Sequence, residues 1–182
     1  MKLFKITDKK GVKTSDIIKE CRELFPIWVY NEKNIDKEFP PIKKTTTRCF
    51  ERVVEADEEN KNISANEADK KGIKGITLRE RLLMELDYFK ETGKHLDIDN
   101  FTICSGSRYS AGFVPGVYCR VVGVCVYWYD PRFIVSHWRV RSVVSCDTSC
   151  EDDKNGLNNL EERVLVLEEF KSRIENILKE LK

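Results

Sequence analysis

Two residue types in this chain could do covalent or metal chemistry, and both are sparse. There are seven cysteines, Cys21, Cys49, Cys104, Cys119, Cys125, Cys146 and Cys150, and two histidines, His95 and His137. A nucleophilic thiol needs an activating base within reach, and no spacing here pairs a cysteine with a histidine convincingly. His95 follows "ETGK" at the end of a helical pattern and reads as a structural turn residue. Cys146 and Cys150 make an isolated C-x-x-x-C without the second ligand pair of a tetrahedral zinc site. No catalytic residue, metal or cofactor is therefore expected. The opening residues "MKLFKITDKKGVK" carry no apolar signal core, so the expected location is the cytoplasm or a virus particle, and the thiols are expected to be free.

The remaining chemistry is recognition. The chain holds 20 lysines and 19 glutamates, and none of either falls within residues 101–150. That stretch nevertheless keeps tyrosine, serine, glycine and arginine. Large rigid aromatics among small adaptable neighbours are the composition of a binding surface. A segment buried on both faces would also lack Lys and Glu. Against that, Ser107, Arg108, Tyr109, Ser110, Arg132, Ser136, His137, Arg139 and Arg141 would be costly to bury without partners. The expectation is a concave, partly exposed face. Arg120, Arg132, Arg139 and Arg141 interleave with aromatics, as in single-strand binders. A formal net charge of +1 leaves little attraction for phosphates, so no nucleic-acid partner is expected. No run is long and apolar enough for a membrane span.

These residues need elements to position them. "KLFKIT" reads as a short strand. "TSDIIKECRELF" reads as a helix capped by Ser15, with Ile17, Ile18, Cys21 and Leu24 on one face. Pro26, Pro40 and Pro41 punctuate an extended segment, Thr45–Ala56 is a β-branched strand, and "DEENKNISANEADKKGIKG" reads mostly as loop. "TLRERLLMELDYFKETG" is the clearest helix, with Thr77 and Glu80 as a capping box, Gly93 as the stop, and Leu78, Leu82, Leu83, Leu86 and Phe89 as its apolar stripe. "VPGVYCRVVGVCVYWYDP" reads as two strands turning near Gly123. Alternation puts Val117, Val124, Val126 and Trp128 on a buried face, with Cys119 and Val121 as companions. Tyr118, Arg120, Val122, Cys125, Tyr127 and Tyr129 point the other way. Near the end, Leu160, Leu167, Phe170, Ile174, Ile177 and Leu181 fall at heptad spacing. This seam suits either a helix folded back on its own domain or a short homo-oligomerising coil.

The bias also has a genetic reading. An AAY codon randomised only at its adenines cannot reach Lys, Glu, Gln, Met or Trp. Tyr109, Ala111, Phe113, Gly116, Tyr118, Cys119, Arg120, Val122, Cys125, Tyr127, Tyr129, Phe133, Ile134, Val135, Ser136 and His137 all lie within the reachable set. The run "TLRERLLMELDYFKETGKHLDIDNFTICSGSRYS", then "VP", W-x-DP and "RVRSVVS", resembles the variable proteins of diversity-generating retroelements. The resemblance covers roughly residues 62–145, through Gly106, Ser107, Arg108, Gly112, Val114, Pro115, Trp128, Asp130, Pro131, Arg139, Arg141 and Val143. Trp138 departs from it, standing where a smaller aliphatic belongs.

The resemblance implies an α+β, C-type-lectin-like fold over residues 43–150, with a variable region at about 106–145. Residues 1–42 would be an N-terminal extension, and 151–182 a linker and C-terminal helix. It further implies a ligand-binding protein whose ligand is a protein, contacted by Tyr109, Ala111, Phe113, Gly116, Tyr118, Arg120, Val122, Cys125, Tyr127, Tyr129, Phe133, Ile134, Val135, Ser136 and His137. Arg108 and Arg141 are then frame residues that donate to backbone carbonyls. The rival readings are a thiol enzyme, such as one like the formylglycine-generating enzymes, and a nucleic-acid-binding module.

Overall fold

The computed structural model describes residues 2–146, and its elements follow the hydrophobic patterns of the chain. In Leu3–Asp8 (β1), Phe4, Ile6 and Asp8 are buried while Lys5 and Thr7 are exposed, the period of a strand with one dry face. Thr14–Leu24 (α1) buries Thr14, Ile17, Ile18 and Cys21, which lie along one helical face. Ser15 does not cap this helix as expected. Lys13 holds the cap position, and the Ser15 hydroxyl donates to Asp36 at 2.6 Å. The proline-punctuated segment is not simply extended either: it contains Ile27–Val29 (β2), a single 3-10 turn at Glu32–Asn34 and the short helix Ile35–Glu38 (α2). Thr46–Glu51 (β3) pairs antiparallel with β1. The stretch expected as loop holds a helix, Ala65–Lys70 (α3), started by a Ser64–Glu67 capping box whose S-x-x-E pattern was present in the sequence.

Leu78–Thr92 (α4) has the expected capping box between Thr77 and Glu80, and it stops at Gly93 with φ 66°. Four strands follow: Phe101–Ile103 (β4), Val114–Arg120 (β5), Gly123–Tyr129 (β6) and Trp138–Val140 (β7). Together with β2 they form a five-stranded sheet in the order β2-β6-β5-β4-β7. β5 runs antiparallel to β4 and β6, while β2 and β7 join in parallel at the edges. The protein is therefore of the α+β class. The main core joins Phe4, Ile6, Ile17, Ile18, Leu78, Leu82, Met84 and Leu86 to Val117, Val124 and Val126. Residues 2–42, expected as an extension, thus supply a strand of the sheet and a share of this core.

One expectation about the cysteines is overturned, because Cys49 and Cys146 form a disulfide, with Cα atoms 5.4 Å apart. The bridge is a consequence of tertiary pairing: the Val144 N–H donates to the Cys49 carbonyl, which lays the end of the described chain along β3. Among the described residues, no helix is long and apolar enough to cross a membrane. The heptad seam from Leu160 to Leu181 lies outside the described residues.

Candidate functional site

The β5–β6 hairpin carries the segment that lacks lysine and glutamate. Its turn is Val121–Val122, closed by Gly123 at φ 108°, where a Cβ would sit 2.2 Å from the Pro26 carbonyl oxygen. No other residue fits both that φ and that approach. Cross-strand pairs sort the side chains into two faces. Val117 opposite Val126, Cys119 opposite Val124, and Pro115 opposite Trp128 share the face toward the helices. Gly116 opposite Tyr127, Tyr118 opposite Cys125, Val114 opposite Tyr129, and Arg120 share the other. The dry set is as expected for Val117, Val124 and Val126, all buried. Three residues depart from it, Cys119 being only half-buried. Val121 is fully exposed because it sits in the turn, and Trp128 is only half-buried, packed between Phe113 at 4.3 Å and Tyr30 at 5.8 Å.

The second face carries a band of aromatics across four strands. Trp28 of β2 stacks on Tyr127 at 5.7 Å, and Tyr127 meets Tyr129 edge-on at 5.8 Å. Phe101 of β4 stacks on Tyr118 at 3.9 Å and meets His137 at 4.5 Å. The Arg120 guanidinium lies 5.2 Å from the Tyr118 ring and 5.5 Å from Phe101. Burial pushes the Tyr118 and Tyr129 phenols up from their ordinary range, so both remain protonated donors. Beyond the hairpin, the Asp130 carboxylate is held down to about 2 by Arg132, which pairs with it at 2.6 Å. That pair precedes a loop exposing Phe133 and Ile134.

The expected contact residues do not all reach this surface. Ala111, Arg120, Val122, Phe133, Ile134 and Ser136 are exposed, and Phe113, Tyr118, Tyr127, Tyr129, Val135 and His137 are half-buried. Tyr109, Gly116 and Cys125 are buried, against expectation. Tyr109 turns inward because its N–H donates to the Phe113 carbonyl, and its ring packs edge-on to Phe39 at 4.8 Å. Gly116 lies under Tyr129, whose ring a Cβ would meet at 2.6 Å. Cys125 is a short side chain between two long cross-strand neighbours, Trp28 and Tyr118. Phe113 points to the Trp128 side and leaves the band. In exchange, the fold adds Trp28 and Phe101, which lie outside 106–145. Trp28 was legible in "IWV", where alternation with the buried Ile27 and Val29 turns it outward.

A buried charge cluster fixes the frame beneath. Arg81 Nε donates to Asp97 at 2.9 Å and its Nη1 to Glu85 at 2.7 Å. Arg141 donates to Asp97 at 3.1 Å and to the Val53 and Val54 carbonyls. All four side chains are fully buried, and their charges balance. Burial opposes the Arg81 charge, but Asp97 and Glu85 outweigh it and hold the guanidinium more firmly protonated than free arginine. Thr102 of β4 also donates to Asp97, and the Cys119 N–H donates to the Asp97 carbonyl at 3.0 Å, so the cluster anchors β4 and β5. His95 closes it, 2.8 Å from Glu85. Arg108 donates to the Ser105 and Ser107 carbonyls, the frame role expected of it and of Arg141.

Cys21, Cys104 and Cys119 are poorly placed for nucleophilic work. Burial, with Glu85 adding, pushes Cys21 up to about 12 and Cys119 up to about 11, and burial also raises Cys104. A reactive cysteine has the opposite shift. Among the described residues, no group of three or more His, Cys, Asp or Glu side chains is placed to hold a metal ion. No family model, curated protein or solved structure matches the chain.

Proposed function

We propose that this chain is a ligand-binding protein whose contact residues are diversified by a retroelement on a C-type-lectin-like scaffold, and that its ligand is a protein. One observation carries the reading. The only long stretch without lysine or glutamate supplies an outward face of Tyr118, Tyr127, Tyr129 and Arg120, while its alternate residues Val117, Val124 and Val126 are dry. A solvated face in a chain otherwise rich in lysine and glutamate would have drawn them; this one has kept rings that are only partly covered. Half-exposed aromatics on a fixed backbone give large contact area at small entropic cost. The balanced cluster of Arg81, Glu85, Asp97 and Arg141 supplies such a backbone without involving the outward residues. The mixed sheet and the two long helices, α1 and α4, support a lectin-like scaffold. The raised thiols favour binding over thiol catalysis.

The coding DNA and its flanks test the reading. The expected finding is a near-copy of the stretch encoding residues 106–145 that differs almost only at adenines, beside a reverse-transcriptase gene. A locus without a near-copy, whose isolates differ in this stretch with no bias toward adenine positions, sinks it.

A further inference from the structure

We infer that the partner of this face presents a carboxylate and, a few residues along, an apolar side chain, the carboxylate pairing with Arg120 at the hairpin tip and the apolar group covering Trp28 at the opposite edge. This rests on the binding reading above and adds the chemistry of the partner. Arg120 is exposed, and among the described residues no carboxylate pairs with it. By contrast, Arg108 is held by Asp69, Arg132 by Asp130 and Arg139 by Glu58. Arg120 also borders an open cleft of about 530 Å³, shared with Lys94, His95, Ile98, Cys119 and Val121. No Asp or Glu side chain lines that cleft. The Asp97 and Glu55 carboxylates are engaged inside the protein, Asp97 by Arg81 and Arg141, and Glu55 by the backbone N–H groups of Ile98, Asp99 and Asn100. The tip of the band is thus cationic, with the Arg120 guanidinium lying over the Tyr118 and Phe101 rings, and the complementary ligand is an anion with an apolar flank.

Trp28 marks the other end. It is 51% exposed, and Ile27 and Val29, buried on either side, prevent it from turning inward. It lies outside the diversified stretch, so it is a constant anchor beside variable neighbours, and tryptophan is a frequent hot spot. Trp28, Cys125 and Tyr118 lie in register across β2, β6 and β5, and Arg120 is two residues farther along. Strand spacings then put the two ends on the order of 12 Å apart. A short peptide segment spans that distance. A nucleic-acid strand would also bring negative charge. However, Phe101 already stacks on Tyr118 and Trp28 on Tyr127, which leaves few free ring faces for bases, and the cations are too few for a phosphate track.

Selection of a phage library of random cyclised peptides on the full chain tests this. Enriched peptides are then titrated against Arg120→Glu, Trp28→Ser and Tyr127→Ser, with thermal melts checking that each variant folds. A fluorescein-labelled oligothymidylate is titrated in parallel. The expected result is enriched peptides that share an Asp or Glu a few residues from an apolar residue, each variant weakening them by about tenfold or more, and no oligonucleotide binding. Peptides that depend on Tyr127, carry no acidic residue and ignore Arg120→Glu overturn the inference and leave the binding reading standing. Oligonucleotide binding that is lost in Arg120→Glu also overturns it. A selection yielding no peptide dependent on Tyr127 overturns the inference and the binding reading together.

Discussion

Tyr118 and Tyr129 point the same way from the hairpin, yet their surroundings assign them different work. Tyr118 has one ring neighbour stacked on it, Phe101, whereas Tyr129 meets Trp138 edge-on at 4.6 Å and packs against the cluster of Ile103, Val114 and Val140. Tyr118→Ser should therefore cost no more than ~1 kcal/mol in urea denaturation, as for surface positions. Tyr129→Ser should cost about 2 kcal/mol and Trp128→Ala about 3 kcal/mol through lost packing. Equal costs for Tyr118→Ser and Trp128→Ala would make the band part of the core. The thiols make a separate prediction. Because burial raises Cys119 to about 11, the fraction ionised at neutral pH is small. Peptide mapping after iodoacetamide should show its alkylation rising roughly tenfold per pH unit from pH 8 toward 11. A rate already level below pH 8 would bring the thiol-enzyme reading back.

At the scale of elements, the hairpin is tuned by what each glycine allows. Gly116 lets the Tyr129 ring lie flat on β5, so Gly116→Ala must displace it. The expected cost is about 2 kcal/mol, as for overpacking. Adding Tyr129→Ser should remove most of that cost, because the obstructing ring is gone, and the double-mutant cycle in urea reads the coupling directly. If the two changes simply add, the contact is not what the glycine serves. The strand anchors respond differently. Among the described residues, Asp97 is the only carboxylate that touches both Arg81 and Arg141, so Asp97→Ala leaves two buried guanidinium groups undercompensated. A loss of ~3–5 kcal/mol is expected, with faster amide exchange concentrated in β4 and β5. A loss under 1 kcal/mol would mean that water reaches the cluster.

Over the whole molecule, the Cys49–Cys146 bridge closes a separation of 97 residues and ties the end of the described chain to β3. Chain entropy assigns a loop of that length about 4.7 kcal/mol as an upper value, and measured bridges of this kind give less. Cys146→Ser should therefore lower the unfolding free energy by ~2–4 kcal/mol under oxidising conditions. Dithiothreitol should bring the wild-type protein to the same value. Identical stabilities with and without reductant would show that the bridge does not persist in solution. The first 42 residues matter equally at this scale, because β2 is what sets Trp28 beside the β5–β6 hairpin.

How far the chain could be read follows from the range of each interaction. Local periodicity and capping were legible: Thr77, Glu80 and Gly93 bound α4, and the alternation about Gly123 separates Val117, Val124 and Val126 from Tyr118 and Tyr127. These features depend on neighbours within a few residues, so the amino-acid order alone determines them. The Ser64–Glu67 capping box is equally local, but its polar surroundings, with no apolar periodicity behind the cap, mask it as loop. The candidate face was legible in its composition, through the missing lysine and glutamate, but not in its membership. Whether Tyr109 turns in toward Phe39, whether Cys125 is covered by Trp28 and Tyr118, and whether Cys49 meets Cys146 depend on which distant segments the topology brings together. The pairing of β2 with β6 and the burial of Arg81, Asp97 and Arg141 are of this kind, since a strand's pattern specifies that it has a dry side but not which strand lies next to it.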